Sequence, residues 1–315
     1  MATQLTQFTP SPMLREYAYG FAQNAVQPVA NFIAPTVEVG TMIGRFKQYD
    51  TKHAFHIPNT ARPIGGRATE VTFGATDSTY NCSPHAIDVP VDELLENEAE
   101  SLEDVMAESA AMAAQIAALQ HEYRVITAAI AGCAGTGSGA TISVAATDPI
   151  DTIDGHILNV LKAARYGSSM GARIVSGAGA FRLIKNCPTV RNRFVSDGRA
   201  AVPTSIPNIT PDTLKSLLIG SPDTMISWMV QDTASEGKSA SISFLMDTEI
   251  IIFAALATPT RRDPSFMKTF RLKGNWMIPG QYVRDDQRVT VAKFDWTEDV
   301  KVTNSAAGIK MTVTA

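Results

Sequence analysis

Charged and aromatic side chains alternate along residues 45–55, RFKQYDTKHAF, and they form no clean apolar face. Alternation of this kind predicts a β-strand. Residues 61–75, ARPIGGRATEVTFGA, start with turn-forming residues and finish with β-formers, so they predict a returning strand with Val71 and Phe73 on one face. The two segments together predict a long hairpin. Because an isolated two-stranded hairpin is only marginally stable in water, we expect it to pack against another surface.

A long helix is predicted after the hairpin. From about Leu102 to Gly132, apolar residues recur in alternating steps of three and four, which is the spacing of one helical face. Ser101 and Asp104 resemble a capping box at its start, and Gly132 is a suitable stop. The stripe consists of Val105, Ser109, Met112, Ile116, Leu119, Tyr123, Ile126 and Ile130. The dense alanines around the stripe predict close packing against a sheet or a neighbour.

The rest of the chain mixes short helical and short extended patterns. Asp148 and Pro149 predict the start of a helix that runs to about Tyr166, and Thr210 with Pro211 predicts another. A further short helix is predicted at residues 180–186. Strands are predicted at 172–176, 223–230, 241–246, 248–255, 281–296, 299–303 and 308–314. Interleaving of this kind predicts an α+β fold.

Residues 1–40 show no periodic pattern, yet they are rich in aromatic side chains. The apolar side chains of this segment include Phe8, Tyr17, Tyr19, Phe21, Phe32 and Ile33. Disordered tails are usually poorer in aromatic residues. We therefore predict an arm that becomes ordered on another surface, with a frayed terminus as the alternative.

Composition limits the classes of function. The chain has 315 residues, 45% of them hydrophobic, which is enough for one large core or two modest ones. Its 27 basic and 31 acidic side chains give a formal charge of -4, which argues against a dedicated nucleic-acid binder but leaves local basic patches open. The start lacks the pattern of a signal peptide, and the longest apolar run, residues 250–257, is too short to span a bilayer. We expect a soluble protein made in the cytosol, with no membrane partner.

The cysteines and histidines form no recognisable binding pattern. Cys82, Cys133 and Cys187 are odd in number and widely spaced, which predicts idle thiols in a reducing compartment. The five histidines, His53, His56, His85, His121 and His156, are scattered without metal-ligand spacing. We therefore predict no metal ion and no cofactor.

Two short motifs resemble catalytic or nucleotide-binding patterns. Residues 167–171 match the G-x-S-x-G pattern around Ser169, but a helix precedes them and a strand follows, the reverse of a nucleophile elbow. Gly177 and Gly179 stand between a strand and a helix, but Arg182 occupies the place of a third glycine. A loop rich in small residues and a turn chosen for its geometry are the favoured interpretations.

Two groups of charged residues are further candidates for chemistry or binding. Asp285 and Asp286 are adjacent on a predicted strand and point to opposite faces, which suits a turn or a solvated edge. The basic side chains Arg182, Lys185, Arg191, Arg193 and Arg199 could touch phosphates, but a solvated face or a set of ion pairs between subunits is favoured. No catalytic residue is predicted, and the protein is not expected to be an enzyme.

The order of these elements resembles the major capsid proteins of tailed bacteriophages with the Hong Kong 97-type fold. The resemblance runs through nearly the whole chain. "IGRFKQYDTKHAF" and "GGRATEVTFGATDSTYNC" stand in the place of the family's extended hairpin loop, and the long helix stands in the place of its spine helix. "PIDTIDGHILNVLKAARYGSSMGARIVSGAGAFRLIKNCPTVRNRF" looks like part of the axial domain, while "DPSFMKTFRLKGNW" and "VRDDQRVTVAKFDW" are similar to segments that lead back into the peripheral sheet.

The resemblance implies a division into four regions. They are an N-terminal arm at 1–40, an extended hairpin loop at 41–86, a peripheral domain with the spine helix at 87–147 and 281–315, and a mixed axial domain at 148–280. The hairpin and arm would lie on adjacent subunits, which would supply the missing packing partner. The residues expected at these contacts are Phe21, Phe32, Arg45, Phe46, Lys47, Tyr49, His53, Phe55, Arg67, Val71 and Phe73.

The resemblance also implies a function. The chain would be a structural shell protein that assembles with itself into pentamers and hexamers of an icosahedral virion around double-stranded DNA, which it would touch non-specifically. Only about 40 residues precede the hairpin, so a scaffolding segment was either removed or belongs to a separate protein. A portal is an expected partner, and a decoration protein is a further candidate partner. Alternatives are an encapsulin-like nanocompartment shell and, less favoured, a soluble hydrolase or a nucleotide-binding enzyme.

Overall fold

A computed structural model describes residues 29–49, 57–62, 64–70, 75–92, 102–164, 171–195, 209–235, 238–256, 258–261, 263–284 and 289–315. The helices are α1 (Val29–Ile33), α2 (Leu102–Gly132), α3 (Pro149–Ala163), α4 (Ala178–Asn186), α5 (Pro188–Val195) and α6 (Pro211–Leu217). The first strands are β1 (Thr36–Val39), β2 (Ile43–Tyr49), β3 (Ala75–Asn81), β4 (Ser83–Asp92), β5 (Ala140–Ser143), β6 (Ala172–Gly177) and β7 (Asp223–Ser227). The later strands are β8 (Val230–Asp232), β9 (Ile242–Phe244), β10 (Glu249–Ala254), β11 (Met267–Leu272), β12 (Ile278–Arg284), β13 (Val289–Val302) and β14 (Gly308–Thr314).

The first sheet is organised by its longest strand, β13. This strand pairs antiparallel with β12 through Val289–Asp295, with β11 through Glu298–Val302 and with β4 through Val289–Glu298. β1 joins the outer edge of β11 in a parallel pairing. Two strands from the first third of the chain, β1 and β4, are therefore held in register by two C-terminal strands, β11 and β13.

The second sheet has the strand order β5-β14-β10-β6-β7. β10 lies at its centre and is paired antiparallel with both neighbours. Ile250, Ile251, Ile252 and Phe253 of β10 are almost completely buried, as expected of a central strand covered on both faces. Apolar side chains of α3 and α4 belong to the same core cluster, so this sheet and its helices form one hydrophobic core.

Helix α2 packs on the first sheet through alanines, which corrects the predicted apolar stripe. Ala110, Ala113, Ala114 and Ala117 are buried in one cluster with aromatic residues that include Trp296. Small side chains on the helix leave room for the bulky side chains of the sheet. The larger members of the predicted stripe point elsewhere: Met112, Ile116, Leu119 and Tyr123 are exposed, Ile126 is buried, and Ile130 is half-buried.

The described part of the arm belongs to its own subunit. Val29, Ala30 and Ile33 of α1 are buried in the main core, and β1 is a strand of the first sheet. The expectation that residues up to 40 form an arm for another surface is therefore wrong for residues 29–39. Residues 1–28 lie outside the described residues, and the prediction for them remains a prediction.

The strand pairings do not follow the predicted region boundaries. β14 was expected in the peripheral region, but it pairs with β10 and β5 in the second sheet. Conversely, β11 was expected in the axial region, but it pairs with β13 in the first sheet. The pattern along each strand reveals its period and its burial, whereas its partner depends on contacts far away in the sequence.

Most predicted helices and strands of the C-terminal half are confirmed. α3 begins at Pro149 after Asp148, whose side chain accepts a hydrogen bond from the Ile150 N–H at 3.1 Å. The helix ends at Ala163, before the predicted limit. The hairpin is also confirmed, with β3 (Ala75–Asn81) as its return strand; residues 61, 62 and 64–70 of the predicted return are not in a strand, and residues 71–74 lie outside the described residues. β4 is a strand that the sequence pattern did not predict.

Candidate assembly surface

The base of the hairpin has a small core of its own within the subunit. Phe46 of β2 and Tyr80 of β3 both pack on Phe270 of β11, with ring centroids 5.4 and 4.7 Å apart respectively. Val37, Val39 and Cys82 complete this cluster. The hairpin therefore starts from a rigid position on the first sheet.

Close packing at this base depends on Gly44. A Cβ atom at this position would collide with the ring and hydroxyl of Tyr80. The Tyr80 hydroxyl is also within hydrogen-bonding distance of the Thr41 hydroxyl, at 3.2 Å. On the other side, the Asn81 N–H donates to Asp299 Oδ2 at 2.9 Å and ties the end of β3 to β13.

The loop beyond the paired strands is exposed. Residues 57–62 and 64–70 are neither helix nor strand, and only Pro58 and Gly66 among them are even half-buried. The Thr69 hydroxyl donates to the Asn59 carbonyl at 2.8 Å, so the described hydrogen bonds of this loop include one across it. Ile57 is 91% exposed, and Ile64 is fully exposed. The loop therefore presents two exposed isoleucines that another chain could cover.

The predicted contact residues divide into three groups. Arg45, Lys47 and Arg67 are exposed and accessible to another chain. Phe46 and Phe32 are corrected, because both pack inside the subunit. Phe21, His53, Phe55, Val71 and Phe73 lie outside the described residues, as does the side chain of Tyr49.

Phe32 is held by the second sheet. Its ring meets Phe253 edge-on at 5.8 Å between centroids, and the guanidinium group of Arg173 lies 5.0 Å from its centre. Arg173 also donates to the Phe32 carbonyl at 3.2 Å. This aromatic side chain therefore contributes to the subunit core and leaves little surface for a neighbour.

A buried charge cluster joins α2 to the first sheet. Glu298 Oε1 is 3.0 Å from His121 Nδ1 and 3.1 Å from Arg124 Nη1, and Glu298 Oε2 is 3.2 Å from Arg271 Nη2. Burial opposes ionisation of Glu298, but the hydrogen bond and charge of His121, together with the charges of Arg271 and Arg124, lower its pKa to about 2. Arg271 also lies 3.5 Å from the centre of the Trp276 ring. No local sequence pattern indicates this cluster, since its members are far apart along the chain.

A second buried carboxyl joins α2 to α1. Glu122 Oε1 accepts a hydrogen bond from the Ala30 N–H at 3.0 Å, and the side chain is completely buried. Burial raises the pKa of Glu122 to about 7, against the opposing effect of the Ala30 N–H. α1 is therefore fixed to the long helix by a polar contact within an apolar core.

Sequence reasoning missed two exposed apolar surfaces. One is the row Met112, Ile116, Leu119 and Tyr123 on α2. The other is the ribbon of β8 and β9, where Val230 pairs with Phe244 and Ile242 pairs with Asp232. Val230, Ile242 and Phe244 are exposed. Only tertiary structure separates such residues from core residues of the same type.

The motifs weighed for catalysis find little support. Ser169, Asp285 and Asp286 lie outside the described residues. Gly177 and Gly179 stand at the start of α4, where a Cβ atom on either would collide with Asp247. The Ala180 N–H donates to the Asp247 carbonyl at 2.8 Å, so the chain itself occupies this turn. Close packing, rather than phosphate binding, accounts for these two glycines.

The basic cluster is partly engaged in ion pairs. Arg193 contacts the Asp148 carboxylate at the start of α3, while Arg199 lies outside the described residues. Across the described part of the chain, His, Cys, Asp and Glu side chains form no group of three or more that could hold a metal ion. Within the same ranges, none of the helices is both long enough and apolar enough to cross a bilayer.

Comparison with solved structures relates this architecture to known proteins. A phage-related protein from Bordetella bronchiseptica RB50 superposes with a TM-score of 0.69 and 16% identity over 97% of both chains. A chain from the asymmetric unit of the bacteriophage PhiM1 mature capsid gives a TM-score of 0.55 and 11% identity over 90% of this chain and 86% of that one. The SrpI encapsulin of Synechococcus elongatus PCC 7942 gives a TM-score of 0.57 and 12% identity over 92% of this chain and 88% of that one.

No protein-family model matches the sequence, and a search of curated proteins finds no match. The structural similarity nevertheless covers 97% of this chain for the phage-related protein and 90% for the PhiM1 capsid. The chain is a mixed α+β protein with the Hong Kong 97-type capsid fold, and it resembles the major capsid proteins of tailed bacteriophages.

Proposed function

We propose that the protein is the major capsid subunit of a tailed bacteriophage. It assembles with itself into pentamers and hexamers of an icosahedral shell that encloses double-stranded DNA. The observation that carries this proposal is the fold, which is shared over 97% of this chain and 97% of a phage-related protein. A shell role requires surfaces for other copies and no catalytic site.

The exposed hairpin loop supports self-assembly. Its base is fixed to the first sheet by Phe46 and Tyr80, whereas the side chains of Ile57 and Ile64 are exposed to solvent. A rigid base orients the loop, and the apolar side chains at its surface gain contacts only when another chain covers them. Arg45, Lys47 and Arg67 add positive charge to this side of the subunit.

Other components follow from this role. A separate scaffolding protein and a portal are proposed partners, and a decoration protein is a further candidate. Contact with the packaged DNA is non-specific. The net charge of -4 suits this last point, because a shell that holds a genome does not need the basic surplus of a dedicated DNA binder. The protein is proposed to be made in the host bacterial cytoplasm and to reside in the virion.

Electron microscopy tests this proposal directly. The protein is expressed alone and together with the neighbouring genes of its own genome, and the particles are purified and imaged. Closed icosahedral shells built from this chain are expected. Persistently monomeric protein under both conditions contradicts the proposal.

A nanocompartment shell is the second candidate, because an encapsulin complex has the same fold. The contents of purified particles separate the two functions. Nuclease-resistant double-stranded DNA in native particles supports the capsid. A co-purifying enzyme cargo without nucleic acid supports the nanocompartment.

A soluble hydrolase or nucleotide-binding enzyme is the least favoured candidate. It predicts an activity that Ser169→Ala abolishes, or a melting temperature that rises with added nucleotide through Gly177 and Gly179. The packing of Asp247 against both glycines argues against the nucleotide site. Absence of both responses would remove this candidate.

A further inference from the structure

Four large apolar side chains form a continuous row on α2, which we call the α2 ridge. Met112, Ile116, Leu119 and Tyr123 are 58%, 49%, 37% and 46% exposed. Their spacing of four, three and four residues puts them on one helical face, and they extend over ~16 Å of the helix axis. The ridge lies beside the alanine face that contacts the first sheet, so no described element of the subunit covers it.

The described chain begins next to this ridge. The Ala30 N–H in the first turn of α1 donates to Glu122, which precedes Tyr123 on α2. N–H groups in the first turn of a helix point back towards the residues that precede it. The segment before Val29 therefore leaves the core at the Tyr123 end of the α2 ridge.

A buried atom without a hydrogen-bond partner lies at the same end of the α2 ridge. Glu122 Oε2 is buried and has no hydrogen-bond partner among the described residues. A buried polar atom without a hydrogen-bond partner is costly, and such atoms are rare in folded proteins. A polar group of the preceding segment would satisfy this oxygen at the point where that segment meets α2.

The sequence before Val29 matches the ridge in chemistry and in reach. Residues 1–28 contain only two charged side chains, Arg15 and Glu16. In an extended chain, Tyr17, Tyr19 and Phe21 lie on one face at intervals of ~6.6 Å, close to the ~4.5–6 Å intervals along the ridge. The eight residues from Phe21 to Val29 span up to ~28 Å, which is enough to reach any point on the ridge.

We propose that residues 14–28 fold back along the α2 ridge of their own subunit, with Tyr17, Tyr19 and Phe21 covering its apolar side chains. The short tether at Val29 favours this arrangement, because it holds the segment at a high effective concentration over the ridge. Phe21 then contacts its own subunit rather than a neighbour. The proposal does not depend on the proposed function, since it concerns the folded subunit before any assembly.

Disulfide trapping tests the arrangement in the full-length chain. Phe21→Cys is combined with Leu119→Cys, in a Cys133→Ala background that removes the half-buried native thiol. The matched control combines Phe21→Cys with Gln120→Cys, an exposed position beside the ridge. The tether is the same in both pairs, so we expect the ridge pair to crosslink about tenfold faster only because a segment that lies on the ridge holds residue 21 next to residue 119 rather than residue 120.

Mixing isotopically labelled and unlabelled subunits before oxidation identifies which copy supplies the segment. Disulfide-linked peptides of uniform isotope composition support the proposal. Mixed peptides place the segment on another subunit, and equal rates for the ridge pair and the control pair place it off the ridge. Either of these last two results overturns the proposal.

Methionine oxidation gives an independent measurement on the unassembled subunit. Deletion of residues 1–27 should speed peroxide oxidation of Met112 severalfold by uncovering it, because sulfoxide formation follows exposure. Met42 is 43% exposed away from the ridge and serves as the internal reference. If the deletion prevents folding, the combined variant Tyr17→Ser, Tyr19→Ser and Phe21→Ser tests the same point. An unchanged ratio of Met112 to Met42 oxidation contradicts the proposal.

Discussion

Oε1 of Glu298 lies 3.0 Å from Nδ1 of His121, and both side chains are buried where α2 meets β13. Two arginines complete the site from opposite elements, Arg124 from the helix and Arg271 from β11. Removing one member of a buried charge group leaves the others without compensation and is strongly destabilising. This cluster therefore controls how firmly the long helix is held on the first sheet.

Acid should weaken the subunit through Glu298. Its pKa falls from an ordinary 4.5 to about 2 on folding. Because the folded-state pKa is the lower one, the stabilisation is complete above pH 4.5 and is lost as the pH falls towards 2. We expect the free energy of urea unfolding to drop by about 3 kcal/mol over this window. Glu298→Gln should be less stable at pH 7 and should lack this dependence; parallel pH profiles of the two proteins contradict the assignment.

Glu122 should act in the opposite direction. Its pKa is about 7 in the folded chain and 4.5 ordinarily, so the folded state retains a proton that the unfolded state releases. Stability is therefore lost as the pH rises from 4.5 to 7. Glu122→Gln keeps an acceptor for the Ala30 N–H without the charge. It should match the wild type at pH 4 and exceed it by about 3 kcal/mol at pH 8; a variant that is less stable at pH 8 contradicts this.

The alanine face of α2 should tolerate no enlargement. Ala117 is 1% exposed in the cluster that contains Trp296. Ala117→Leu should lower the free energy of unfolding by about 1–3 kcal/mol, because the helix must move away from the sheet to make room. Ile116→Leu is the matched control on the exposed face and should change it by less than about 0.5 kcal/mol. Equal effects at the two positions would refute the orientation of the helix.

Helix α2 shows which structural features can be predicted from local sequence. Its length and its end at Gly132 follow from local patterns, and so do α3 and the buried β10. The stripe that contains Ile116 was assigned to the wrong face, because spacing identifies which residues share a face and not which face meets the sheet. The alanines were the better guide, since only small side chains permit such close approach.

The candidate site was predictable only in part. Alternating residues predicted a hairpin, but Phe46 pairs with Phe270, more than 200 positions away in the chain, and no local pattern encodes that contact. The exposed loop retains Arg67 as a candidate contact, whereas the charge cluster of Glu298 is assembled from distant segments. Local sequence therefore predicts elements and exposure better than it predicts partners.

Phe46 should be a stability residue. Its side chain is 4% exposed in the cluster with Tyr80 and Phe270. Phe46→Ala should lower the free energy of unfolding by about 3 kcal/mol, because it opens a cavity beneath the hairpin. Lys47→Ala, at the exposed neighbouring position, should leave it nearly unchanged. Chemical denaturation of both variants checks this, and a stable Phe46→Ala subunit that fails to assemble would restore Phe46 as a contact between copies.

The hairpin loop should be dispensable for folding and required for assembly. Replacing residues 50–74 with Asn-Gly joins Tyr49 to Ala75, which already face each other, through a favourable two-residue turn. The subunit should keep its melting temperature but form no closed particles by electron microscopy. Ile57→Ser with Ile64→Ser is a milder version that keeps the loop length. Normal shells from the shortened protein would exclude the loop as an assembly element.

The two C-terminal strands β11 and β13 impose an order on biosynthesis. β1 is paired with β11, and β4 is paired with β13, so neither early strand finds its partner until residues 267–302 have left the ribosome. Long-range pairing of this kind is slow to form. The platform that orients the hairpin is therefore completed only when translation is nearly finished, and β1 and β4 stay without their strand partners until then.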